Sequence, residues 1–227
     1  MRDAYHEDLD ALTERLVEMH RLVGSAISRA STALLDADLG LAESVIAADD
    51  AVDALRDDLD QRAFDLLARQ QPVAGDLRTI ITSLRMSGDL ERMGDLARHV
   101  ARVARRRYPE SAVPAGLRDL VVEMSQVAER LVAKAGSAVA RHDVAAALEL
   151  ERDDDEMDRL HRALFTALLD KDSPYGVEQA VDVTSLGRYY ERFADHAVAV
   201  ARRVVYLVTG QLPEQVTEEV GLSGPGS

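Results

Sequence analysis

The chain repeats itself, so any fold it adopts has to solve one packing problem twice. Met19 recurs as Met124, an offset of 105 (124 − 19), and at that offset Glu18 matches Glu123, Ala30 matches Ala135, Ala33 matches Ala138, Asp38 matches Asp143 and Ala42 matches Ala147. The most acidic part follows suit: Asp49, Asp50, Asp53 and Leu55 align with Asp154, Asp155, Asp158 and Leu160 without a gap. Further on the offset becomes 100 (191 − 91), pairing Glu91, Arg92, Asp95 and Ala97 with Glu191, Arg192, Asp195 and Ala197, so one turn of the second copy is five residues shorter. A fixed offset held over this length marks a duplicated structural unit.

Apolar spacing says what the unit is. Over residues 8–35, Leu9, Leu12, Leu16, Met19, Val23, Ala26, Ile27, Ala30 and Leu34 fall three and four apart, along one face of a helix. A second periodic stretch covers 39–68 through Val45, Val52, Leu55, Leu59, Phe64 and Leu67 and ends before Gln71 and Pro72, because proline disfavours helical geometry in its predecessor. A third runs over 73–107 and stops before Pro109, with Pro114 and Gly116 in the connector that follows. The expected fold is all-α: two tandem antiparallel three-helix bundles related by a pseudo-twofold, at residues 1–108 and 115–210. The tail, 211–227, has no apolar period and is expected to be disordered.

Composition narrows function. With no cysteine, disulfides, thiolate metal sites and cysteine nucleophiles are excluded, and any metal must use oxygen or imidazole ligands. Acids at Asp3, Glu7, Asp8 and Asp10 stand where an export signal would be basic and then apolar, and the apolar run at 204–208 is far below the roughly 18 residues of a membrane span, so the chain reads as cytoplasmic. A net charge of −14 repels nucleic acid phosphates, which argues against direct DNA or RNA binding. The basic runs at Arg105, Arg106, Arg107 and at Arg202, Arg203 lie near helix ends, where positive charge complements the helix dipole, the alternative being a docking patch.

The candidate site is a set of acid pairs four residues apart, hence on one helix face: Asp49 with Asp53, Glu91 with Asp95, Asp154 with Asp158, and Glu191 with Asp195. Among 41 acids one such pair means little, but these recur in equivalent places. The second and third helices of each bundle are joined by a short turn and run antiparallel. Asp53 lies 18 residues before Gln71 (71 − 53) and Glu91 lies 18 after Val73 (91 − 73), which sets them at one level with Asp49 facing Asp95. In the second copy Asp158 lies 14 before Asp172 (172 − 158) and Glu191 lies 15 after Gly176 (191 − 176). Four converging carboxylates repel unless something neutralises them. Oxygen ligands suit magnesium, calcium, manganese or iron, with the identity of the divalent or iron-type ion left open, and His99 and His196 could add imidazole. The alternative is neutralisation by Arg85, Arg92, Arg188 and Arg192 in a metal-independent scaffold. A carboxylate-bridged metal oxidase would carry paired Glu-x-x-His motifs, and no glutamate here has a histidine three positions on, so no enzyme is expected.

Four stretches resemble the PhoU family of phosphate-signalling proteins: ARQQPVAGDLR at 68–78, LERMGD at 90–95, ERFADHA at 191–197, and the Asp-rich segments at 49–53 and 154–158. The resemblance spans about residues 7–210. It implies two three-helix bundles, each with a surface metal site on its acid pairs. It further implies a regulator that couples the phosphate ABC transporter, through its ATPase subunit, to a membrane sensor histidine kinase and holds the phosphate-starvation response off when phosphate is plentiful. Membrane association would then come only through these partners, and the expected assembly is a homodimer. The sequence departs from the family pattern where an asparagine often follows four residues after the last motif aspartate, since His99 and Ala199 stand there, and the signature of the first turn is absent from the second.

Overall fold

The structure, a computed structural model, describes residues 2–69, 72–171, 174–212 and 215–216. Its described part holds seven α-helices: α1 (Arg2–Asp36), α2 (Leu39–Ala48), α3 (Asp50–Arg69), α4 (Ala74–Arg107), α5 (Arg118–Arg141), α6 (Val144–Leu169) and α7 (Val177–Thr209), with a single 3₁₀ turn (Ala115–Leu117) before α5. The first bundle is α1 to α4 and the second α5 to α7. The expected helix over 39–68 is interrupted at Asp49. There the Val52 amide donates to the Asp49 carbonyl at 2.9 Å while the ordinary helical bond from Asp53 stretches to 3.4 Å, so the ladder tightens for one turn. Its counterpart α6 is unbroken.

Several of the repeated pairs turn out to build one turn twice. Ala37 and His142, 105 apart (142 − 37), both take the left-handed conformation, with φ of 51° and 52°. The next amide then folds back: Asp38 donates to the Ala33 carbonyl at 3.0 Å and Asp143 to the Ala138 carbonyl at 3.0 Å. Each aspartate also caps the following helix, accepting from the Leu41 amide at 2.9 Å and the Ala146 amide at 3.0 Å. The bond pattern needs no particular side chain at 33 and 138, but both alanines are fully buried, which keeps them small.

The bundles share one continuous core rather than standing apart. α1 packs on α4 and also on α5, and α4 packs on α7. Met19 and Met124 are both fully buried, and the Ser31 hydroxyl meets the Tyr190 hydroxyl at 2.7 Å inside the core, tying α1 to α7. α4 and α7 run antiparallel: Asp89 meets Arg203 at 2.9 Å, the His99 ring stacks on Tyr189 with centroids 5.3 Å apart, and Arg107 reaches Glu178 at 2.8 Å.

Arg105, Arg106 and Arg107 stand in the last turn of α4, as the sequence indicates, whereas Arg202 and Arg203 lie short of the last turn of α7, and both runs also form ion pairs. Arg106 and Arg107 both pair with the buried Asp182, Arg202 pairs with Glu151 at 2.5 Å, and Arg203 pairs with Asp89. Three of the four reach across the α4–α7 interface, and Arg202 joins α7 to α6. Of the tail, Gln211, Leu212, Gln215 and Val216 are described and Val216 is buried; the rest of 211–227 lies outside the described residues. No described helix is long and apolar enough to cross a membrane.

Candidate functional site

In the first bundle the acid pairs lie on α3 and α4 with Asp49 at the helix break. The Asp49 side chain is 7% exposed, and the Arg98 guanidinium pairs with it and with Asp95 at once. Asp49 and Asp95 therefore do face each other, with an arginine between them. Arg56 stands 3.6 Å from Glu91, and Arg92 reaches Asp95 at 3.2 Å and Glu91 at 3.8 Å. Burial raises the Asp49 pKa; Arg98 opposes the rise, and Asp53, Asp95 and Asp50 add to it.

The second ladder is built of the equivalent residues but is not neutralised in the same way. Among the described residues no basic side chain forms an ion pair with Asp154, Glu191 or Asp195, and Asp158 has only Arg162 at 3.8 Å. Burial pushes the Asp154 pKa up to about 6, helped by Asp195, Asp158, Asp155 and Glu191. Glu191 is raised by burial and by Asp195, with His161 and Arg188 pulling the other way. These carboxylates are close enough to feel one another and share a deficit of positive charge. Among the described residues, no three carboxylate or imidazole groups stand close enough together to form a ready-made ion site.

The two histidines considered as ligands pack at the α4–α7 interface, with His99 still near enough to Asp95 to feel its charge. His99 stacks on Tyr189, and His196 Nδ1 lies 3.1 Å from Asp89, both at the α4–α7 interface. Among the arginines weighed as neutralisers, Arg92 pairs with the ladder, Arg188 acts on Glu191 only through space, and neither Arg85 nor Arg192 forms an ion pair among the described residues. Arg98 and Arg56 were missed. Arg98 follows Asp95 by three residues and Glu91 by seven, which places it on the ladder face, and comparing the copies where they differ would have singled it out.

Each ladder continues into an exposed apolar patch nearer the turn. Six exposed side chains form three equivalent pairs: Phe64 with Leu169, Leu77 with Val177, and Ile81 with Val181, ranging from 37% exposed at Ile81 to 82% at Val177. Phe64, whose spacing reads as part of a core face, is 67% exposed. It lies eleven residues beyond Asp53 (64 − 53), about 20° around the helix and about 16 Å along it. Leu77 precedes Asp95 by 18 residues (95 − 77), five full turns of helix, so it shares the face of Asp95. Each outer face is thus acidic at one end and apolar at the other. Because α4 and α7 are antiparallel and 34 and 33 residues long, the apolar ends point opposite ways, about 50 Å apart.

Comparison with known proteins gives a consistent result. The model of one protein family, described as PhoU domain, matches twice, over residues 16–104 and 121–204. The Phosphate-specific transport system accessory protein PhoU homolog 2 of Mycobacterium tuberculosis is 51% identical over 213 residues, covering 94% of this chain and 100% of that protein. The PhoU homolog 1 of Mycobacterium leprae is 49% identical over 217 residues, covering 96% and 98%. The crystal structure of PhoU from Pseudomonas aeruginosa superimposes with a TM-score of 0.83 at 34% identity, covering 91% of this chain and all of that one.

Proposed function

The chain belongs to the PhoU family of phosphate-transport accessory regulators, which are not enzymes, and we propose that it holds the phosphate-starvation response off by coupling the phosphate ABC transporter to a sensor histidine kinase. The observation that carries this reading is the family match over both halves together with 51% identity to a whole accessory protein. Its partners are the transporter's ATPase subunit and the cytoplasmic part of the kinase, its place is the cytoplasm, and it reaches the membrane only through them. A homodimer belongs to the same proposal, and its mass in solution tests it.

The outer faces supply the docking chemistry. An apolar end contributes burial on either face, and the acidic end of the second face, which lacks counter-charge, contributes charge, so a partner segment with apolar residues followed by lysine or arginine complements that face. Asp154, Asp158, Glu191 and Asp195 would hold a divalent or iron-type cation, favoured there by an all-oxygen donor set and by the missing counter-charge. The cation would neutralise the cluster. The chain's own part is to bring four carboxylates from α6 and α7 within electrostatic reach of one another and to keep Asp154 half-buried, so that binding would relieve a repulsion already present.

A genetic measurement tests the regulatory claim. With the gene removed and phosphate abundant, a phosphate-starvation reporter should switch on and return to silence when the chain is resupplied. A reporter that stays silent in the deletion strain would refute negative regulation.

A further inference from the structure

Duplication lets each ladder serve as the reference for the other, and the two differ at the positions that matter for charge. Arg98, which pairs with Asp49 and Asp95, corresponds at the offset of 100 to Val198, and Arg56, beside Glu91, corresponds at the offset of 105 to His161. The second copy keeps all four carboxylates and has lost both guanidinium groups.

We propose that Arg98 takes the place of a cation in the first bundle by neutralising Asp49 and Asp95 from within, so that the ladder of Asp49, Asp53, Glu91 and Asp95 binds no metal and leaves the second ladder as the only one that answers to metal. For the second ladder the inference rests on the cation reading given above; for the first it stands on the arginine itself. A guanidinium is planar, permanently charged and carries several donors, so one group satisfies two carboxylates together. It sits where the need is greatest, since Asp49 is the most buried carboxylate of the eight. The Arg98 side chain is itself only 25% exposed and cannot swing freely into water. A metal ion entering this ladder would face a fixed like charge between its two best ligands, or would have to displace it and leave a buried guanidinium unpaired. Val198 poses no such barrier in the second bundle: it is a buried aliphatic residue with neither charge nor donor.

The outcome is a protein with one metal-independent half and one metal-dependent half. Metal would then alter one docking face and not its counterpart, and two partners using the two faces would respond differently to the same ion.

Manganese(II) binding to the purified full chain tests this, followed by the loss of free-ion signal in electron paramagnetic resonance. Asp195→Ala should weaken binding at least tenfold, and Asp95→Ala should leave it unchanged. Arg98→Val, which copies the second bundle into the first, should add a binding site absent from the native chain; Arg98→Gln, which keeps the bulk and removes the charge, should do the same and serves if Arg98→Val loses helicity. The proposal is overturned if Asp95→Ala weakens binding as much as Asp195→Ala does, or if neither arginine variant gains manganese. A native chain that binds none would refute the cation reading of the second ladder, while a site gained by Arg98→Val or Arg98→Gln would still uphold the role of the arginine.

Discussion

His20 lies on α1 where it meets α5, 5% exposed, with Nδ1 2.7 Å from the Leu16 carbonyl oxygen and Nε2 buried without a hydrogen-bond partner among the described residues. Neutral imidazole suits this place, because Nδ1–H donates to the carbonyl, whereas a proton on Nε2 would bury a charge and an unmet donor. Burial accordingly lowers its pKa to about 4, the Leu16 bond opposing only in part. The unfolded chain takes up this proton near the ordinary histidine value of about 6.5. Between these values the unfolded state binds more protons, so the stability due to neutral His20 is complete above about pH 6.5 and is lost as pH falls toward 4. Between pH 7.5 and pH 5 the loss should be about 2 kcal/mol, and His20→Leu should be less acid-sensitive by that amount in urea denaturation at the two pH values. Asp182 offers a second residue-scale test. Its side chain is 3% exposed while Arg106 is 60% exposed, so the arginines can return to water and the carboxylate cannot. Removing both Arg106 and Arg107 should therefore lower the urea midpoint more than Asp182→Leu does, because only the former strands a buried charge.

At the scale of elements, the turns after α1 and α5 are the same device used twice, each with a residue other than glycine held at positive φ. Ala37→Gly and His142→Gly should each raise stability by about 0.5–1 kcal/mol, additively since the turns are separate, as measured by thermal unfolding. These turns were legible in the sequence as the matched pairs at 33, 38, 138 and 143, although not as the cap and the folded-back amide that explain them. Long helices and their ends at prolines were equally plain, because apolar period and backbone chemistry are local. The break at Asp49 was not: it shows only as a tightened carbonyl bond beside a carboxylate held by Arg98 from another helix. Neither were the places of His99 and His196, since α4 serves α1, α3 and α7 together and helical period alone does not say which face meets which neighbour. Matches between the copies pointed to the carboxylates, whereas the mismatch at Arg98 and Val198 held the information on how their charge is met.

For the whole molecule, the shared core makes the two halves one body with two outward faces, and the interface ion pairs of α4 and α7 fix their opposite directions. Phe64→Ser and Leu169→Ser, equivalent exposed positions, should leave thermal stability nearly unchanged, because neither side chain is buried, yet each should weaken partner binding at its own end. The most direct test of coupling is to titrate the purified chain into the transporter's ATPase subunit and, separately, into the cytoplasmic part of the sensor kinase, with manganese(II) and with chelator, by calorimetry. The account predicts binding to both partners, with at least one complex weakened by chelation and by Asp195→Ala. Binding to neither partner under either condition would contradict it.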